Sequence, residues 1–369
     1  MPTNSNTNLE RVSDIQNNSD VESLAQQWAK KYVQNLQPDT NVSASDKTLN
    51  LAEIVSPAGR DKTTQKIIES LRSVSAKAWN QTEALLSEQV KLHSIDPSTI
   101  NPWEIAADSF NIYQKTLEVY TQKATLRPLA LVVQLAQAGN PLYEQALQVY
   151  TEQVAPNQLA TVVGAEIGAI RKKYTSQDPR VIGFVTMQFH YTSQMLLEQL
   201  DPIERSLIGA YFKVIDDHLY MPLQRAYEAA ARHDYNSPVM SAVRTLLPVS
   251  TQIAKNICQK VIELYPNYHS ISGVLSDPVV KISSIRDVEM FQVYLWVCAL
   301  EGNIAAVQQE LFPLCVMLYP TLNVKWDIVR QMLFLLKQEV ETYLTPEQNH
   351  TLIPYSQALW QMFSTEVIG

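Results

Sequence analysis

Residues 281–291 read KISSIRDVEMF, and this stretch, with the nine residues QVYLWVCAL that follow it, decides the fold of the chain. From residue 286 to residue 300 the sequence is apolar nearly all round a helix, which predicts a helix buried at the centre of a domain. Arg286 and Asp287 place a charge pair at the expected start of that helix. Burying such a pair is costly unless other groups compensate, although the helix dipole favours an aspartate at a helix start.

The composition of the 369 residues predicts a mostly helical, all-α protein. Hydrophobic residues make up 46% and charged residues 18%, as in a globular chain rather than a disordered one. The 9 glycines are about 2.4% of the 369 residues, against a typical ~7%. So few glycines leave little material for turn-rich β architecture or phosphate-binding loops. The net charge of -8 disfavours a broad nucleic-acid-binding surface.

Changes of composition and proline breaks divide the chain into three predicted parts. Residues 1–60 are interpreted as a flexible tail with one amphipathic helix. Residues 61–200 are predicted to form a helical domain. Residues 201–369 are predicted to form a second helical domain, which begins at the helix-start signal Asp201-Pro202.

Apolar residues at helical spacing predict the individual helices. The first, at residues 21–36, has an apolar face that contains Trp28, and that face either docks on the protein's own body or inserts into a partner's groove. A long stripe runs from residue 61 to a break at Pro97. Further helices are expected near 103–123, 129–138, 141–154, 157–174, 180–200, 201–232, 243–264, 286–300, 305–318, 326–343 and 356–363.

The sequence contains no motif of a known catalytic or nucleotide-binding class, and we expect no enzyme activity. His218 follows Asp216 and Asp217, but consecutive helical residues point about 100° apart and do not converge on one metal ion. His190 lies among aromatic residues and methionines, which favours a hydrogen-bonded core histidine. No metal site is therefore predicted.

The cysteines and the hydropathy of the sequence indicate in which cellular compartment the protein lies. The three cysteines lack C-x-x-C spacing and lie in apolar stretches, as is typical of reduced cysteines in the cytosol (Cys258, Cys298 and Cys315). The first residues lack the pattern of a secretory signal, and no apolar run approaches the ~20 residues that an integral membrane span requires. We expect a cytoplasmic protein.

The stretch at 281–291 resembles the bilin-binding segment of phycobiliproteins, the globin-related light-harvesting subunits of phycobilisomes, in which Cys-x-Arg-Asp precedes an aromatic-rich helix. The similarity extends over residues 238–337. Residues 243–266 resemble the helix before the pigment site, Gly302-Asn303 falls at the turn after the pigment helix, and residues 319–337 resemble the last two helices. The resemblance implies a globin-like, phycobiliprotein-like domain over residues 201–369.

The candidate site follows from this resemblance, and it departs from the family at a decisive position. Ser284 stands where the family has the cysteine that attaches the bilin, and a hydroxyl does not replace a thiolate nucleophile. Covalent pigment is therefore not expected. Arg286 and Asp287 match the family residues that contact a bilin propionate and the pyrrole nitrogens, so non-covalent binding of a tetrapyrrole stays open. The alternative is a charge pair satisfied by neighbouring protein groups.

The wall of the site also differs from the family. Met290 and Phe291 replace the family's paired tyrosines, and Val293 stands where many members have a second arginine. The candidate tetrapyrrole pocket thus consists of Ser284, Arg286, Asp287 and Phe291, with no cofactor required and a non-covalent bilin as the one cofactor considered.

The resemblance implies a function in photosynthesis. The leading hypothesis is a non-catalytic cyanobacterial protein that binds protein partners in assembly, docking or regulation of the phycobilisome or associated photosynthetic machinery, at the cytoplasmic face of the thylakoid. Family subunits pair and stack, so homo- or hetero-oligomers are compatible with it. The second hypothesis is a sensor or carrier of a bilin or related tetrapyrrole, and a bilin lyase is the third.

Overall fold

The computed structural model describes residues 23–34, 53–54, 56–122 and 156–368, and it is built almost entirely of helices, as the sequence predicts. The expected tail at 1–20, the linker at 38–47 and the expected helices at 129–138 and 141–154 lie outside the described residues. No described helix is both long and apolar enough to cross a bilayer.

The first half of the described chain contains five helices whose bounds follow those expected within a few residues. They are α1 (Leu24–Gln34), α2 (Pro57–Leu92), α3 (Pro102–Gln122), α4 (Pro156–Thr175) and α5 (Val181–Glu198), with a 3-10 turn at Pro97–Thr99. The 36-residue α2 begins where Ser56 accepts a hydrogen bond from the Gly59 amide, and Pro57 occupies the first helical position.

The second half contains eight further helices. They are α6 (Pro202–Tyr220), α7 (Leu223–Ala230), α8 (Pro238–Leu246), α9 (Ser250–Leu264), α10 (Pro278–Glu301), α11 (Phe312–Thr321), α12 (Trp326–Tyr343) and α13 (Pro346–Met362). A short antiparallel hairpin of β1 (His269–Ser270) and β2 (Gly273–Val274) precedes α10, and a π-helical turn spans Val307–Leu311. Gly302 ends α10 at a φ of 69°, the left-handed conformation that glycine adopts without steric cost.

Several helix boundaries differ from the predictions for local reasons. The helix expected at 201–232 is divided into α6 and α7, because Met221, the residue before Pro222, adopts an extended conformation. The helix expected at 243–264 is broken by a 3-10 turn at Leu247–Val249, because Pro248 has no amide to donate within a helix. The last helix begins ten residues earlier than expected, at the capping box of Thr345 and Gln348.

The prediction that Arg286 and Asp287 begin the central helix is also wrong. The Asp277 side chain accepts from the Val279 amide, and Pro278 takes the first helical position, so α10 begins two turns earlier. The pair therefore lies inside the helix, away from the field at its N-terminus.

The core has α10 at its centre. Every residue from 288 to 300 is buried, which confirms the predicted central helix. Around it the hydrophobic core is continuous and includes residues from both the 61–200 and the 201–369 parts. Helix α6 packs against α4 and α5, so the two expected domains share this core; the boundary at residue 201 stays a prediction.

Candidate functional site

The Arg286–Asp287 pair is in contact with the end of α6. The Tyr220 hydroxyl donates a hydrogen bond of 2.5 Å to Oδ1 of Asp287, and the Arg286 guanidinium lies 4.3 Å from the centre of the Tyr220 ring. Tyr220 thus offers the aspartate a hydrogen-bond donor through its hydroxyl and the arginine a cation–π contact through its ring face. Contacts of this kind are expected if neighbouring protein groups stabilise the charge pair.

The other two candidate residues have different surroundings. The Ser284 hydroxyl donates to the carbonyl of Val280 one turn earlier, at 2.9 Å. Phe291 is fully buried and packs against Phe363, with ring centres 5.7 Å apart. The structure therefore brings Arg286 and Asp287 together around Tyr220, whereas Ser284 bonds to its own helix and Phe291 belongs to the core.

A small cavity opens beside Arg286, between α5, α6 and α10. Its volume is about 20 Å³, and its ionisable lining residues are His190, Asp216, Tyr220 and Arg286. This is room for a water molecule, whereas small-molecule sites measure roughly 300–1,000 Å³. A tetrapyrrole would enter only after these helices moved apart.

The ionisable side chains that line the cavity are perturbed by burial and by one another. The buried Nε of Arg286 has no hydrogen-bond partner among the described residues. Burial raises the pKa of Asp216 to about 6, although the facing Arg286 opposes that change. Burial and the same arginine lower the pKa of His190 to about 4. These effects together favour a neutral imidazole and a carboxyl that titrates near neutrality.

The histidines and cysteines behave largely as structural residues. The Nδ1 of His218 lies 2.8 Å from the Val214 carbonyl, and Asp217 pairs with Lys213, so these side chains serve separate contacts. Among the described residues, no group of three or more potential ligands could hold a metal ion. His190 lines the cavity without the expected hydrogen bond among the described residues. The three cysteines are free and buried.

Sequence analysis missed a second polar cluster on α10. Glu289 is buried one turn after Ile285 and pairs with Lys31 of α1, with Nζ 2.9 Å from Oε1. The signals were a glutamate within the helix that is otherwise apolar nearly all round, and a lysine three residues after Trp28. Tyr220 was also missed, because nothing in its local sequence links it to residue 287.

Residues 214–362 match the family model described as phycobilisome protein. The C-terminal part of the chain thus contains a domain that matches the phycobilisome family. It takes in the last turns of α6 and the helices α7–α13, so it extends beyond the 238–337 region of the sequence resemblance on both sides. No curated protein and no solved structure matches the chain.

The phycobilisome-family domain is contacted by residues from outside its matched range. His190 of α5 lines the cavity at Arg286, and Lys31 of α1 reaches Glu289. These two positions of α10 lie three residues apart, within one helical turn. The helix that resembles the family's pigment helix is therefore covered in part by segments that precede the family domain in the chain.

Proposed function

We propose that the chain is a non-catalytic protein-binding factor in the assembly, docking or regulation of the phycobilisome or associated photosynthetic machinery, and that it carries no covalent bilin. The family match over residues 214–362 supports a phycobilisome-related role. The finer proposal rests on the helix α10, which resembles the family's pigment helix. Ser284 lacks the nucleophilic sulfur, and Tyr220 contacts both Arg286 and Asp287, the two charged residues that would bind a pigment.

This chemistry favours contact with proteins over catalysis. Tyr220 fixes the Asp287 carboxylate, and the cysteines are buried, which raises the pKa of each thiol: Cys258 to about 12 and Cys298 to about 11. A thiol with a raised pKa is a poor nucleophile at neutral pH. The proposal places the protein in the cytoplasm, at the thylakoid face where its partners would lie.

Sedimentation with purified cyanobacterial phycobilisomes tests the proposal. We expect the full-length chain to sediment with the particles saturably and to remain colourless, whereas an unrelated acidic helical protein of similar size stays in solution. A chain that remains in the supernatant at every particle concentration would contradict the proposal.

Non-covalent tetrapyrrole binding is the second candidate function, and the unpartnered Nε of Arg286 favours it. A propionate could accept from this nitrogen once the small cavity had widened. Absorption spectra of the chain with added bilin test this candidate. A spectral change that disappears in Asp287→Ala, but persists in the exposed control Asp61→Ala, would support it; an unchanged bilin spectrum would eliminate it.

A further inference from the structure

Helix α1 lies in a groove made by distant parts of the chain. It packs on α4, on α7 and on the 3-10 turn at Leu247–Val249. Trp28 is 2% exposed and meets Trp296 of α10 edge to face, with ring centres 6.2 Å apart. Tyr32 accepts a hydrogen bond from Trp28 and stacks on His218. An amphipathic helix seated in this way is a recognised mode of peptide binding.

The groove also contains a buried acceptor site for the ammonium group of Lys31. Lys31 donates to Glu289 at 2.9 Å and to the Ser250 hydroxyl at 2.5 Å, and Thr251 donates to the same glutamate oxygen. Both charged side chains are less than 10% exposed. Burial opposes the charge of Glu289, but Lys31 and Lys213 outweigh it, so the pKa of this carboxyl lies below its usual value.

A buried ion pair makes the contact selective rather than strong. Removing both ions from water offsets much of their attraction, whereas a mismatched partner leaves one charge buried alone. The groove therefore distinguishes helices that supply a lysine at this position from those that do not.

The short helix α1 depends on its docking site for its helical form. At 11 residues it is shorter than the ~12–15 residues that an isolated helix needs for marginal stability. Its helical form therefore depends on the groove, and the free energy of ordering reduces the net affinity. Without α1, Glu289 keeps Thr251 as a donor and Lys213 nearby, so the acceptor site remains in place for another helix.

We propose that α1 is a displaceable internal ligand, and that the groove beneath it binds an amphipathic partner helix that presents an aromatic residue and, three positions later, a lysine to Glu289. This assignment of a partner class rests on the proposed function as a protein-binding factor. While α1 is docked, its tether gives it a high local concentration and it excludes weaker competitors.

Peptide exchange on the full chain tests the proposal. A protease site is inserted between residues 42 and 43, the chain is cut, and a labelled peptide of residues 22–36 is added while its anisotropy is measured. We expect the peptide to replace the cut α1 segment, and to bind the uncut chain at least about tenfold more weakly because the tethered helix competes. Circular dichroism confirms that the cut chain stays folded.

A matched set of variants tests the lysine site. The Lys31→Gln peptide should bind the cut chain at least about tenfold more weakly than the wild-type peptide, and this preference should disappear on the Glu289→Gln chain. A folded cut chain that never takes up the peptide, a cut chain that unfolds, or equal binding of the two peptides would each overturn the proposal. Because the exchange needs no phycobilisome, its result is independent of the sedimentation experiment.

Discussion

Tyr220 and Asp287 form the contact that separates this site from an open pigment pocket: the phenol donates to the carboxylate at 2.5 Å while its ring lies against the neighbouring Arg286. One side chain from α6 thus occupies both polar groups that the family resemblance assigns to a tetrapyrrole. The contact explains how a charge pair inside a helix is accommodated without a ligand.

Tyr220→Phe should destabilise the fold by about 1–3 kcal/mol, because the partly buried Asp287 carboxylate loses its hydrogen-bond donor. Urea denaturation followed by circular dichroism measures the change. Tyr343→Phe is the control, since the Tyr343 hydroxyl makes no hydrogen bond within the described part of the chain. Equal stability of the two variants would show that the Tyr220 hydroxyl contributes nothing.

Lys31→Met should lower the free energy of unfolding by about 3–5 kcal/mol, since it leaves Glu289 buried without its cation. The double variant Lys31→Met/Glu289→Met should recover much of this loss because no charge stays behind. Denaturant unfolding measures all three chains. Lys62→Met, at an exposed lysine of α2, controls for the loss of a positive charge. A double variant no more stable than the single one would contradict the burial argument.

Ser284→Cys should not by itself restore covalent pigment. The side chain at 284 bonds to its own helix, and the cavity beside Arg286, which would hold a bilin propionate, measures about 20 Å³. A bilin attached at 284 therefore finds no pocket of its own size at Arg286. Co-expression with a bilin and a bilin lyase, followed by a denaturing gel, measures attachment. Ser283→Cys controls for non-specific thiol addition. Pigment on the 284 variant alone would show that the site opens more readily than the packing indicates.

His190 should make the protein less stable in acid. Its pKa of about 4 in the fold is lower than the ~6.5 of an unfolded histidine, so the unfolded chain binds a proton first as the pH falls. His190 therefore costs no stability above pH ~6.5. Between pH ~6.5 and pH 4 it lowers the free energy of unfolding by about 1–3 kcal/mol, after allowance for partial exposure of the ring. His190→Gln should flatten this loss in thermal melts between pH 7 and pH 4.

Asp216 lines the same cavity and changes the free energy of unfolding with pH in the opposite direction. Its contribution must therefore be separated from that of His190. Because its pKa is raised to about 6, Asp216 favours the folded state below pH ~4 and loses that contribution as the pH rises through 6. The melts should therefore be repeated in an Asp216→Asn background, where the effect of His190 stands alone. An unchanged pH profile for His190→Gln in that background would refute the assignment.

Much of the fold could be predicted because its determinants are local. The apolar run at 288–300 specifies a buried helix whatever surrounds it, and the left-handed Gly302 ends that helix within one turn. The sequence also contains the true start signal of α10, because Asp277-Pro278 is a side-chain cap followed by proline, eight residues before the charge pair.

The candidate site could be predicted only in part, for the same reason. Arg286 and Asp287 were identifiable as adjacent charges in an apolar run, but Tyr220 lies 67 residues from Asp287 in the sequence. No local pattern encodes such a pairing, because it depends on how α6 crosses α10. The same applies to His190, whose role at the cavity follows from the packing of α5.

The amino-acid sequence by itself determined that this protein is all-α, that residues 286–300 belong to a buried helix at its centre, and that position 284 offers no sulfur to a bilin. Only the tertiary structure decided that Tyr220 fills the place beside Arg286 and that Lys31, 258 residues away, neutralises Glu289. The physical reason is the distance along the chain over which each determinant acts. Helix caps and apolar periodicity depend on a few neighbouring residues, whereas the partner of a buried charge depends on how whole helices pack.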